Sequence, residues 1–174
     1  MKKAFTMIEL IFVIVILGIL AAVALPKFIG VAEEAREGNL KSFVGTLDRT
    51  IGPTLWSKAI SSGHDGNISA LGTEANLSNY TDIPQEITEH DATKCDDKVK
   101  FKVIAKAPKD KMGGEYNYYI LCKTGTNSIS PKFVLAKSKG DDTVENLKNT
   151  TFDVNFTNNT INGQINSKNV ELVK

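Results

Sequence analysis

Glu9 is a lone carboxylate inside an apolar run that extends from Phe5 to Leu25. An ionisable group near the middle of a spanning helix costs roughly 2.5 to 3.5 kcal/mol on insertion scales, and less near an interface. Such a carboxylate therefore calls for a cation or hydrogen-bond donors. Cys95 and Cys122 are the only cysteines. His64 and His90 have no ligand spacing with them, which argues against a Cys/His metal site. Asp141, Asp142 and Glu145 follow Lys139-Gly140 and supply oxygen ligands of the kind calcium takes, or simply a solvated acidic loop. There is no nucleophile elbow, phosphate-cradling glycine loop or His-rich metal motif, so the expectation is a protein without enzymatic activity.

The element that must position Glu9 is a helix. From Phe5 to Leu25, at 1.5 Å per residue, it extends about 31 Å, close to the roughly 30 Å hydrocarbon core of a bilayer. Lys2 and Lys3 precede the run and Lys27 follows Pro26, which places the N-terminus on the cytoplasmic side. A secretory signal peptide is one alternative, with Ala22-Val23-Ala24 as a small-residue cleavage site, but the run exceeds the usual 7 to 15 apolar residues. A plain single-span anchor is another, and it leaves Glu9 unexplained.

Ala4 to Phe28, AFTMIELIFVIVILGILAAVALPKF, resembles the N-terminal signature of type IV pilins and pseudopilins, the helical-filament subunits of bacterial secretion, adhesion, motility and DNA-uptake machines. The resemblance implies a leader of residues 1–4, removed by a prepilin peptidase between Ala4 and Phe5, with Phe5 then N-methylated. Ala4 stands where the family usually has glycine. It also implies that Glu9 meets the new N-terminal amine of a neighbouring subunit, since a paired charge offsets part of its desolvation and can specify register. The residues alone leave open that Glu9 bonds its own N-terminal turn. Implied partners are other copies of the chain, the peptidase, an inner-membrane assembly platform, related minor pilins and, before assembly, the lipid bilayer. The implied location is the inner membrane with the C-terminal domain periplasmic, then an extracytoplasmic filament. The other reading is a membrane-anchored periplasmic binding module that does not polymerise.

Beyond residues 5–25 the pattern becomes amphipathic over 26–60. Phe28, Ala32, Ala35, Leu40, Phe43, Val44, Leu47 and Ile51 recur at helical spacing between charged residues. Pro26 predicts a kink or loosening, and in the resembling family the matching region can unwind within filaments. Gly52-Pro53 predicts a break, with Pro53 opening a short helix. Residues 61–97 lack a sustained period and read as a connecting loop. Strands are predicted at 98–106, where Val99, Phe101, Val103 and Ala105 alternate with lysines, and at 116–122, 132–137, 151–156, 160–165 and 170–173. The expected fold class is α+β, a long N-terminal helix packed on an antiparallel sheet, pilin-like, with the sheet in 98–174.

With the domain outside the cytoplasm, the even cysteine count favours a Cys95–Cys122 disulfide over two buried thiols. Such a loop contributes roughly 3 to 3.5 kcal/mol by chain-entropy reasoning. The pilin resemblance brings a calcium site of major pseudopilins to bear on Asp141, Asp142 and Glu145, although the acids lack a full ligand pattern. Without Lys2 and Lys3, Lys plus Arg falls from 21 to 19 against 20 Asp plus Glu, so no basic field supports a nucleic-acid partner. Asp65-Gly66-Asn67-Ile68-Ser69, Glu74-Ala75-Asn76-Leu77-Ser78 and Asp153-Val154-Asn155-Phe156-Thr157 each set an acid two residues before an Asn-x-Ser/Thr acceptor. About 0.2 such patterns are expected by chance from the composition. They resemble the extended N-glycosylation acceptor of some bacteria; turn chemistry in an Asn-rich chain is the alternative.

Overall fold

The computed structural model describes residues 5–173, with backbone alone for 25–29. Thr6 caps helix α1, Met7–Thr46, which is continuous across Pro26. The expected break at Gly52-Pro53 is replaced by a π turn, Leu47–Ile51, in which the Gly52 N–H donates to the Leu47 carbonyl, and α2, Gly52–Ser61, follows directly. Pro53 has no N–H to donate to the preceding turn, and the wider turn lets the chain pass it without ending. Gly52 is needed there for space. A Cβ would lie 2.8 Å from both the Leu47 carbonyl oxygen and the Phe133 ring.

Residues 61–97 are not a featureless loop. The 3-10 segments Ile68–Ala75, which is interrupted at Gly72, Leu77–Asn79 and Ala92–Lys94 each begin after a residue whose side chain accepts a backbone N–H, namely Asn67, Asn76 and Asp91. They bury Ile68, Leu71, Ala75 and Leu77 in the core shared with α1 and α2. Turns this short carry no readable period.

The strands are β1, Glu89–His90; β2, Phe101–Ala107; β3, Asn117–Lys123; β4, Lys132–Ser138; β5, Thr151–Asn155; β6, Thr160–Asn162; β7, Gln164–Ile165; and β8, Lys168–Leu172. A one-turn helix, α3, Lys109–Met112, joins β2 to β3. All pairings are antiparallel, in the order β6-β5-β2-β3-β4-β8-β7, with β1 also on β2. The α+β class is as expected. The predicted strand at 160–165 is split at Gly163, and β2 starts at Phe101 rather than Lys98, because the Asp97 carboxylate accepts the N–H groups of Val99 and Lys100 and turns the chain.

The simple alternation read across Val99 to Ala105 also fails. The register of β2 on β3 shifts between Val103 and Ala105, and a bulge of this kind moves later side chains to the other face. Phe101 and Val103 consequently pack in one core, with Tyr119, Leu121, Phe152 and Val170. Ala105 and Ala107 pack in the other, with Leu40, Leu47, Leu55, Tyr118 and Ile120. Strands β2 and β3 are thus covered on both faces, by the helices on one and by Val144, Leu147, Phe152, Ile165 and Val170 on the other.

Candidate anchoring and assembly segment

Met7–Ala24 has a mean hydropathy of 2.9 and no buried residue, and it is long and apolar enough to cross a membrane. Ile8, Leu10, Phe12, Ile16 and Leu20 are among its exposed side chains. A helix apolar on every side has no single face to give a core. An exposed apolar surface of this extent needs lipid or other protein around it.

Glu9 sits at the start of that helix within a capping box. Its Oε2 accepts from the Thr6 N–H at 2.9 Å and from the Thr6 hydroxyl at 2.7 Å, while the Glu9 N–H donates to Thr6 Oγ1 at 3.4 Å. The carboxylate thus has two donors from its own chain, the local arrangement that the residues alone left open. Thr6-Met7-Ile8-Glu9 is a T-x-x-E signature, the signal that would have revealed the box. Phe5, beside it, is exposed, and Ala4 lies outside the described residues. Pro26 lies within the helix, where only the backbone is described.

Where α1 meets the domain, its contact face is first polar and only then apolar. Ala32 and Ala35, expected to face inward, are exposed, whereas Glu33, Arg36 and Glu37 are half-buried. Arg36 Nη1 donates to the Met112 carbonyl at 3.0 Å, and the Tyr118 hydroxyl donates to Glu37 Oε2 at 2.7 Å and lies 3.4 Å from Glu33 Oε1. Lys41 and Lys137 also approach Glu37, at 2.8 and 3.8 Å. Burial alone would raise the Glu37 carboxyl, but the hydrogen bonds from Lys41 and Tyr118 and the two ammonium charges hold it below the ordinary carboxylate range. Burial, and then the Glu37 carboxylate, push the Tyr118 phenol up. Gly113 and Gly114 leave the space this cluster occupies, since a Cβ on either would collide with Arg36 or Glu33. Sequence reasoning missed these residues because alternating charges on a helix read as a solvated face.

Cys95 and Cys122 form the disulfide, with Cα atoms 5.4 Å apart, and tie the 61–97 region to β3. Asp141, Asp142 and Glu145 do not converge. Asp141 pairs with Lys106 at 2.6 Å, Asp142 accepts from Thr143 N and Asn146 Nδ2, and Glu145 pairs with Lys148 at 2.7 Å and with Lys94. The Lys148 ammonium, then that of Lys94, hold Glu145 down to about 2. No group of three or more His, Cys, Asp or Glu that could hold a metal occurs among the described residues. Asn67 is half-buried, whereas Asn76 and Asn155 are exposed.

Residues 1–25 match the family described as the prokaryotic N-terminal methylation motif. Over 38 residues the chain is 50% identical to the type IV narrow pilus major component PilA5 of Thermus thermophilus, covering 22% of this chain and 33% of that protein. The chain thus spans about a third of the length of the curated relative it matches. No solved structure matches the chain.

Proposed function

We propose, from an N-terminal segment of the type IV pilin family, that this chain is the structural subunit of a type IV pilus-like or type II secretion-like filament. Before assembly it is anchored in the inner membrane by residues 5–25, with residues 26–174 on the periplasmic side. A prepilin peptidase cuts between Ala4 and Phe5, and Phe5 is N-methylated. The assembly platform and minor pilins then draw the helix out of lipid into a bundle of its own copies.

The observation that carries this reading is an apolar helix with a methylation motif whose side chains find no partner in the chain's own described core. Lipid and sister helices are both suitable surroundings, and transfer from one to the other requires no gain of apolar burial. Glu9 is suited to such a transfer because Thr6 supplies two donors while it is in the bilayer. Removal of the leader adds an ammonium at Phe5, one residue before Thr6, and a neighbour's Glu9 can receive it. Pairing of this sort fixes register at a cost in desolvation that the capping box reduces.

The test is Glu9→Ala beside wild type in the protein's own cells. Membrane insertion is expected to persist while incorporation into sheared filaments is lost. Normal incorporation would refute the assembly role, and an intact membrane protein with no filament in wild-type cells would leave the tethered binding module in its place.

A further inference from the structure

The three acid-x-Asn-x-Ser/Thr segments adopt one local geometry. In each, the asparagine Oδ1 accepts the backbone N–H of the hydroxyl residue two positions on: Ser69 N to Asn67 at 3.1 Å, Ser78 N to Asn76 at 3.1 Å, and Thr157 N to Asn155 at 2.9 Å. Three further Asn-x-Thr acceptors begin at Asn79, Asn149 and Asn158, and they have Leu77, Leu147 and Phe156 in place of the acid. Among the described residues none of these accepts the corresponding N–H. The Thr81 N–H goes to the Leu77 carbonyl, and Asn158 Oδ1 takes the Thr160 hydroxyl at 2.7 Å. Acid and turn therefore occur together, and turn formation by asparagine alone does not account for the acid.

Accessibility separates the three. Asn67 Oδ1 also accepts from Thr124 Oγ1 at 3.1 Å, and that hydroxyl, nearly inaccessible, receives the Ile68 N–H. Asn67 is thereby tied into the 61–97 fold. Asn76 and Asn155 are exposed, and among the described residues their Nδ2 groups donate to no protein acceptor. Their acids, Glu74 and Asp153, are exposed as well, and among the described residues they pair with the surface lysines Lys58 and Lys100.

We propose that Asn76 and Asn155 are acceptors for an N-linked oligosaccharide, transferred from a polyisoprenoid-pyrophosphate donor on the outer side of the membrane. In the transfer, Nδ2 forms a bond to the anomeric carbon of the first sugar. The bond from that carbon to the pyrophosphate oxygen breaks, its electron pair leaves with the lipid pyrophosphate, and one amide proton passes to a base of the transferase. No oxidant or reductant is needed. The acid two residues earlier supplies a charge for a cation of the transferase to read, which the acceptors at Asn79, Asn149 and Asn158 lack. Because a surface acceptor must face the compartment that holds the donor, the inference rests on export of the domain in the filament reading.

The experiment is glycopeptide mass spectrometry of the full chain from its own cells, for wild type, Glu74→Gln and Asp153→Asn. Wild type is expected to carry hexose or amino-sugar mass on Asn76 and Asn155 and none on Asn79, Asn149 or Asn158. Each acid substitution is expected to abolish the mass at its own asparagine alone, with the domain still folded as read by an intact disulfide. Bare Asn76 and Asn155 on a chain whose mass shows the oxidised Cys95–Cys122 pair overturn the glycosylation and leave export standing. Bare asparagines on a reduced chain overturn both. Glycan that persists after the acid is removed overturns the recognition argued here.

Discussion

The Tyr118 hydroxyl lies 2.7 Å from Glu37 Oε2, joining the third strand of the sheet to the long helix across 81 residues of sequence. Tyr118 is almost wholly buried, so its hydroxyl loses water on folding and this carboxylate replaces it. A hydrogen bond to a charged acceptor contributes about 1.5–3 kcal/mol, and leaving a buried donor unpaired costs more than never having had it.

Tyr118→Phe and Glu37→Gln are accordingly expected to destabilise the domain by about 1–2 kcal/mol each. The double variant should fall short of their sum by about 1 kcal/mol, the sign of a shared interaction. Urea unfolding of the full chain in detergent, followed by the fluorescence of the single tryptophan, Trp56, measures all three. Trp56 reports on the domain because its Nε1 donates to the Thr126 carbonyl at 2.7 Å. Strict additivity would show that the contact is incidental.

Stability should fall on both sides of neutral pH. Glu37 is held below its ordinary value of 4.5, and Asp97 below 3.8, chiefly by the Lys100 N–H in the latter case. A depressed folded-state carboxyl contributes stability above the unfolded value and loses it as pH falls through the folded one, so the melting temperature should decline below about pH 4.5. Glu37→Gln should make that decline shallower. Tyr119 is pushed up to about 12 from 10.0, mainly by burial. Its contribution is full below pH 10 and disappears as pH rises toward 12, so the ultraviolet titration of wild type should contain a phase near pH 12 that Tyr119→Phe removes, leaving the separate late titration of Tyr118 in place.

Reduction of the disulfide should cost about 3.5 kcal/mol by loop-closure reasoning for a separation of this size. The separation is 27 residues, and both cysteines are inaccessible. A lower urea midpoint in dithiothreitol, matched by the Cys95→Ser/Cys122→Ser variant without reductant, is the expected result. An unchanged midpoint would mean that the 61–97 region is held by its turns alone.

Much of this architecture is written locally in the chain. Residues 118–122 and 133–136 are short, largely buried apolar runs, and such runs announce strands whatever their partners. The apolar segment and its methylation motif are likewise contiguous. What the residues did not disclose depends on distant partners. Glu33, Arg36 and Glu37 look solvated until Tyr118 and Met112 are brought to them, and Asp141 and Glu145 look free for a cation until Lys106, Lys94 and Lys148 arrive. The bulge after Val103 and the π turn at Leu47–Ile51 are one-residue adjustments made to fit tertiary contacts, and no periodicity records them. Thr6 was legible and was missed, since its T-x-x-E spacing sits inside a run read for hydropathy alone.

Strand β3 also defines how a pull on the helix would be borne. Tension along α1 enters the domain at Glu37 and Arg36, and from Glu37 it passes through Tyr118 to a strand hydrogen-bonded on both sides, to β2 and to β4. The same strand holds Cys122, so part of the load is shared covalently with the region beside Cys95. A strand at the margin could peel one bond at a time. A strand in the middle must break both ladders together, so the polar contact that first meets the pull is fastened to the interior of the sheet.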